Sequence, residues 1–161
     1  MTPRDVQERC EALLARYREA GLTLATAESC TGGLIAGSLT EIAGSSDVVE
    51  RGFVTYSNEA KQDMLGVPEA LIARVGAVSA EVAEAMVEGT LAQSRADVAV
   101  SATGIAGPGG ATDTKPVGLV YLGIGRHGAP AVSERHVFPG DRAAVRWAAV
   151  MRALDMLDEQ V

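Results

Sequence analysis

The segment Ala27-Glu28-Ser29-Cys30-Thr31-Gly32-Gly33 places a serine where a predicted strand gives way to a glycine-bearing turn and a helix. Free N–H groups at a helix start can hold an oxyanion or a phosphate. Gly32 and Gly33 let that backbone approach a ligand closely. Ser29 is therefore the candidate nucleophile. The plainer alternative is that Ser29 or Thr31 only caps the following helix. Cys30 is a rival nucleophile, because a helix N-terminus lowers a thiol pKa. As a small buried hydrophobe it would instead be inert, which is the preferred reading. Glu28 is placed to orient its neighbours or to cap the next helix.

A serine nucleophile needs a base. The chain has only two histidines, His127 and His136, both on or beside a predicted hairpin, so a Ser-His-Asp triad is disfavoured. It has two lysines, Lys61 and Lys115. Lys61 follows Tyr56-Ser57-Asn58 at the end of the second predicted strand. A partly buried lysine loses basicity by desolvation and can serve as a base. Tyr56 would relay a proton or hold the lysine in place. The ordinary fate of a lysine is a solvated helix surface, and that alternative stands beside the first.

A third segment, Thr103-Gly104-Ile105-Ala106-Gly107-Pro108-Gly109-Gly110, has the composition of a loop that hugs a ligand, or of a flexible connection. It lacks the Gly-Lys-Ser/Thr ending of a P-loop. It leads to a strand rather than the helix a dinucleotide fingerprint requires. Arg142, at the start of the last predicted helix, suits bidentate pairing with a phosphate or carboxylate; a plain surface role is the alternative.

The elements that must position these residues alternate. Thr2-Pro3 starts a helix, and Val6, Cys10, Leu13, Leu14 and Tyr17 give it one apolar face before Gly21. Leu22 to Ala27 reads as a strand. A helix follows over Leu34, Ile35, Leu39 and Ile42 to about Gly44. Val48 to Tyr56 is a second strand. Ser57 or Asn58 caps a helix through Lys61 and Leu65, Pro68 opens another, and Ser79 caps a third. Ala96 to Ala102 is a third strand. Val117 to Gly125 and Ala131 to Phe138 pair as a hairpin. A last helix from about Asp141 buries Trp147, Val150, Met151, Leu154 and Leu157. The order predicts a three-layer α/β/α domain with a mixed, mostly parallel sheet of about five strands. Ligands in such sheets bind beyond the carboxyl ends of the parallel strands. The three segments should meet there.

Composition narrows the function. The 161 residues make one domain, 1–161, and 47% apolar residues supply its core without a staple. A net charge of −7 and the lack of any basic run disfavour nucleic acid and anionic lipid as partners. An anionic ligand would need positive potential made locally, by helix N-termini and single arginines. Two unpaired cysteines, Cys10 and Cys30, fit a reducing cytoplasm and argue against a zinc site. Neither a signal peptide nor a membrane span is visible. No cofactor and no metal are expected.

Several motifs, in order, resemble the CinA C-terminal domain family. They are Ala27 to Gly33, Ile42-Ala43-Gly44-Ser45-Ser46, Arg51 to Lys61, Gly76-Ala77-Val78-Ser79, Gly104-Ile105-Ala106-Gly107-Pro108, Lys115-Pro116-Val117-Gly118 and Gly140-Asp141-Arg142. Members often carry this domain behind a larger N-terminal one. The resemblance implies hydrolysis of the carboxamide of nicotinamide mononucleotide, giving nicotinate mononucleotide and ammonia in pyridine nucleotide recycling. The family's serine nucleophile falls on Ser29, its tyrosine on Tyr56 and its lysine on Lys61. Its substrate-binding elements fall on Thr103, Gly104, Ile105, Ala106 and Gly107 and on Arg142. With Glu28, Cys30, Thr31, Gly32, Gly33 and Asn58 these make up the expected site. The resemblance also implies a five-stranded sheet with one antiparallel strand, and a homodimer or larger homo-oligomer. Two other readings stay open: a non-enzymatic nucleotide-binding or competence- or damage-linked interaction module, and an amidase for a different amide.

Overall fold

The computed structural model describes residues 3–161. The Thr2 cap lies outside them. Helix α1 (Pro3–Ala20) opens on the expected proline and buries Val6, Cys10, Leu13, Leu14 and Tyr17. Strand β1 (Leu24–Glu28) is buried along its whole length, as a central parallel strand must be. Helix α2 (Leu34–Thr40) stops earlier than the expected Gly44. The hydroxyls of Ser38 and Thr40 donate back to the carbonyls of Leu34 and Ala36, a competition that weakens helices. A short 3-10 turn (Ser45–Asp47) then leads to β2 (Val49–Val54).

Helices α3 (Asn58–Leu65), α4 (Glu69–Val75) and α5 (Ala80–Ala92) follow. Ser57 caps α3 by accepting from the Ala60 N–H, and Ser79 caps α5 by accepting from that of Val82. Strand β3 (Val98–Gly104), β4 (Leu119–Arg126), β5 (Val132–Val137) and α6 (Arg142–Asp158) complete the chain. The strands stand in the order β2-β1-β3-β4-β5. β1 is parallel to β2 and β3, and β4 runs antiparallel to both β3 and β5. The domain is thus a mixed five-stranded α/β sheet with β4 reversed.

The larger core lies on the face covered by α1, α2 and α6, with Tyr17, Ile35, Leu39, Val100, Leu122 and Leu154 among its members. The Tyr17 hydroxyl donates to the Leu157 carbonyl inside it. The other face packs α3, α4 and α5 through Leu65, Ile72, Val82 and Met86. One expectation for α6 is corrected. Trp147 is 37% exposed rather than buried, while Val145, Ala149, Val150, Ala153, Leu154 and Leu157 form the inward stripe. Trp147 instead borders an apolar groove between α1, α2 and α6, beside Leu34, Ala143 and Ala144.

Helix α3 sits unusually close to α5. A Cβ built on Gly89 of α5 would lie 2.0 Å from the Leu65 carbonyl oxygen at the end of α3. Glycine alone permits that approach. The contact sets the position of the helix that carries Lys61.

Candidate active site

β1 delivers Ser29 to the carboxyl edge of the sheet while still bonded on both sides. The Ser29 N–H donates to the Ala102 carbonyl of β3, and the Thr55 N–H donates to the Glu28 carbonyl. The sheet therefore fixes the backbone around Ser29 directly. Strand β2 ends at Val54, two residues short of the expected Tyr56, and the difference has chemical meaning. Beyond the bond from the Thr55 N–H to Glu28, the carbonyls of Thr55 and Tyr56 turn to Lys61.

Lys61 is 1% exposed. Its Nζ stands 3.0 Å from Ser29 Oγ. It also donates to the Thr55 carbonyl at 2.9 Å and the Tyr56 carbonyl at 3.3 Å, with the Ser57 carbonyl at 3.5 Å. Burial pushes the lysine below its ordinary value, because the charged form loses its water. A neutral amine has two N–H donors and one lone pair. The two nearest carbonyls can take the donors, which leaves the lone pair for the serine hydroxyl. The sequence placed the lysine in the right segment, but burial this complete is rare for lysine and has no sequence signal.

The serine and lysine form the floor of a cleft of about 270 Å³. Its walls are Cys30, Tyr56, Asn58, Thr103, Gly104, Ile105, Ala106, Gly107 and Arg142, all expected, together with Gly109 and Gly110 of the same candidate loop and with Ala77 and Val78, which were not expected in the site. Ala77 and Val78 enter because the Thr103 hydroxyl donates to the Ala77 carbonyl and draws that segment over the end of β3. The glycine loop is anchored at both ends. The Ile105 N–H donates to the Leu119 carbonyl and the Gly118 N–H to the Ile105 carbonyl, each at 2.8 Å. Its tip, residues 108–114, is exposed.

Tyr56 is 61% exposed, and its hydroxyl accepts a hydrogen bond from Arg142 at 3.2 Å. The Lys61–Ser29 contact is direct, so no phenol is needed between them. Tyr56 holds the lysine with its carbonyl instead. Arg142 also donates to the Gly107 carbonyl at 2.9 Å, bridging the two rims of the cleft.

Four expected residues do not face the cleft. Glu28 is fully buried, and its carboxylate accepts from the Ile35 and Ala36 N–H groups at 2.8 and 3.1 Å. It caps α2 and has no oxygen directed at a ligand. Thr31 is fully buried, and the turn's positive-φ glycines lie against other groups: a Cβ on Gly32 would approach Arg146, and one on Gly33 would meet Val54. Two of the turn's amides are also engaged. Gly32 N–H donates to the Ser29 carbonyl and Leu34 N–H to that of Thr31. Cys30 does line the cleft, but burial pushes its thiol up to about 11, which leaves it protonated and inert near neutrality.

Arg146 was not legible beforehand. Its Nε donates to the Cys30 carbonyl at 3.1 Å and an Nη to the Thr31 carbonyl at 3.2 Å. Guanidinium bonds to main-chain carbonyls leave no pattern in a sequence.

The family described as CinA C-terminal domain matches residues 6–161 of the chain. The chain belongs to this family. Among CinA relatives, it is 47% identical over 160 residues to the nicotinamide-nucleotide amidohydrolase PncC of Escherichia coli K12, covering 99% of this chain and 97% of that protein. It is 53% identical over 147 residues to a CinA-like protein of Geobacter sulfurreducens, covering 91% of this chain and 35% of that one. The chain thus spans about a third of the length of the CinA-like proteins it matches. A crystal structure of the competence/damage inducible protein CihA from Agrobacterium tumefaciens superposes with a TM-score of 0.92 at 49% identity, covering 95% of this chain and 93% of that one. The CinA fold is therefore shared along nearly the whole chain.

Proposed function

We propose that the protein is a nicotinamide-nucleotide amidase, hydrolysing the carboxamide of nicotinamide mononucleotide to nicotinate mononucleotide and ammonia in pyridine nucleotide recycling. The observation that carries the reading is the 3.0 Å contact between Ser29 Oγ and the Nζ of a buried lysine at the floor of the cleft. Its substrate is drawn from the similarity to PncC over almost the full length of both proteins.

Neutral Lys61 takes the Ser29 proton as Oγ attacks the carboxamide carbon. The carbonyl oxygen becomes an oxyanion. The Gly32 and Leu34 amides are bonded within the turn, and the glycine loop, at Ala106 and Gly107, is the proposed donor. One such donor contributes about 3–4 kcal/mol to the transition state. The Lys61 ammonium then gives its proton to the leaving nitrogen, and ammonia departs. The product of this half is an ester on Ser29. Lys61 next deprotonates water, which attacks the ester carbon; the bond from that carbon to Ser29 Oγ breaks, Lys61 returns the proton to Oγ, and nicotinate mononucleotide is released. Arg142 on the rim takes the phosphate. Tyr56 and Asn58 shape the cleft mouth.

The test is ammonia release from nicotinamide mononucleotide. Ser29→Ala should lower kcat by at least about 10³-fold. Full activity in that variant would overturn the nucleophile. Calorimetric binding of the nucleotide without turnover would favour the binding-module reading. The enzyme is proposed to work in the cytoplasm as a homodimer or larger, with exposed Val54 and Trp147 as apolar surface for the contact. Light scattering should then give at least twice the 16.6 kDa of one chain.

A further inference from the structure

Helix α6 sends two arginines toward the site from successive turns. Arg142 and Arg146 are four residues apart, so they share one face of the helix. Their contacts differ in kind. Arg142 reaches the rim, where it holds the Gly107 carbonyl and the Tyr56 hydroxyl. Arg146 does not line the cleft. Its guanidinium is used on the two carbonyls that directly follow the nucleophile, those of Cys30 and Thr31. Both are side-chain bonds across 115 or more residues of chain, so they tie the turn to a rigid helix rather than to itself.

The fit between the turn and the guanidinium is close. Gly32, in the left-handed region at φ 58°, would put a Cβ 3.3 Å from an Arg146 Nη. Glu28 grips the start of α2 from the buried side of the same turn. The Ser29 turn is thus held from two directions, by Glu28 beneath and by Arg146 alongside. A peptide plane whose carbonyl is fixed has its N–H fixed as well. Arg146 therefore sets the planes following Ser29, and through them the direction of Oγ toward Lys61.

We infer that Arg146 is a positioning residue for the nucleophile: it touches no substrate, and it holds the Ser29 turn in the geometry in which Lys61 can accept the proton. The inference rests on Ser29 being the nucleophile. Misplacement of a reacting atom by about 1 Å can cost about 10²-fold in rate. Removing the two bonds should therefore act on kcat and leave substrate binding alone.

The experiment compares the full chain with Arg146→Met and Arg146→Lys. For each, kcat and KM for nicotinamide mononucleotide are measured, together with the rate at which a fluorophosphonate probe labels Ser29. Arg146→Met should lower kcat roughly 10- to 100-fold with KM within about twofold, and should slow labelling in parallel. Arg146→Lys, which keeps one donor, should fall between. If Arg146→Met does not fold, Arg146→Lys decides on the same split. Added guanidinium should partly restore kcat in Arg146→Ala. Unchanged kcat in a folded variant, or a loss confined to KM, would overturn the inference. A wild-type chain whose Ser29 the probe labels but which releases no ammonia would reject the amidase reading, and the labelling comparison would still test Arg146. A wild-type chain whose Ser29 is not labelled would reject both.

Discussion

Lys61 spends its amine on main-chain carbonyls and one serine, nearly buried at the floor of the cleft. The lowered pKa that follows from burial has a defined sign in two measurements. Activity needs the neutral amine, so kcat should rise with pH through an apparent pKa below lysine's ordinary ~10.4. Lys61→Met should remove that limb and lower kcat by about 10²–10⁴-fold. For stability, the unfolded lysine keeps its proton to higher pH than the folded one. Between the two values the unfolded chain holds more protons, so this residue's contribution rises with pH in that window and is lost as pH falls through the folded value. Urea titrations of the chain and of Lys61→Met across that window should differ by this slope. At this scale the side chains that meet in the cleft were legible because the chain offers so few bases: two histidines and two lysines. Arg146 was hidden, because it acts on backbone groups that every residue has, whereas capping of the next helix was one of the two roles read for Glu28.

The elements followed from local signals where a polar cap preceded an apolar run. Ser57, Ser79 and Asp141 each accept from the N–H three residues on, at the expected helix starts. The misses have a common origin in side chains whose surroundings override propensity. Trp147 reads as core by its size, yet alanines at 149 and 153 fill the seam of α6 and small residues carry little signal. The close approach of α3 to α5 at Gly89 was equally silent. It makes a sharp prediction. In an open helix, Gly→Ala stabilises by about 0.8–1.0 kcal/mol. At Gly89 the new methyl meets the Leu65 backbone carbonyl, which cannot swing away as a flexible side chain would. Overpacking of this kind costs about 1–3 kcal/mol. Gly89→Ala should therefore lower the urea midpoint. It should also lower kcat, because α3 carries Lys61 and must shift; both effects are read on one purified variant.

For the whole molecule, a net charge of −7 opposes capture of an anion, and the cleft offsets it with a single rim arginine. A charge-assisted hydrogen bond contributes about 1.5–3 kcal/mol. Arg142→Ala should then lower kcat/KM for the mononucleotide about 10- to 150-fold, while the riboside, lacking the phosphate, should lose far less. Equal losses on both would remove Arg142 from phosphate binding. The sheet order explains how one cleft gathers such distant residues: β1 and β3 are central neighbours, and their carboxyl ends open side by side.

The reversal of β4 has a consequence for how such a domain diversifies. Because the glycine loop leaves β3 and returns on the adjacent strand, both of its feet are clamped where Ile105 meets Gly118 and Leu119. Its exposed tip is free to lengthen, and doubling a flexible loop costs only about 0.6 kcal/mol of closure entropy. Insertions there would reshape the rim that meets the far end of a substrate while Ser29 and Lys61, seated on other elements, stay in register. The fold thus separates a wall that can change from a floor that the sheet holds in place.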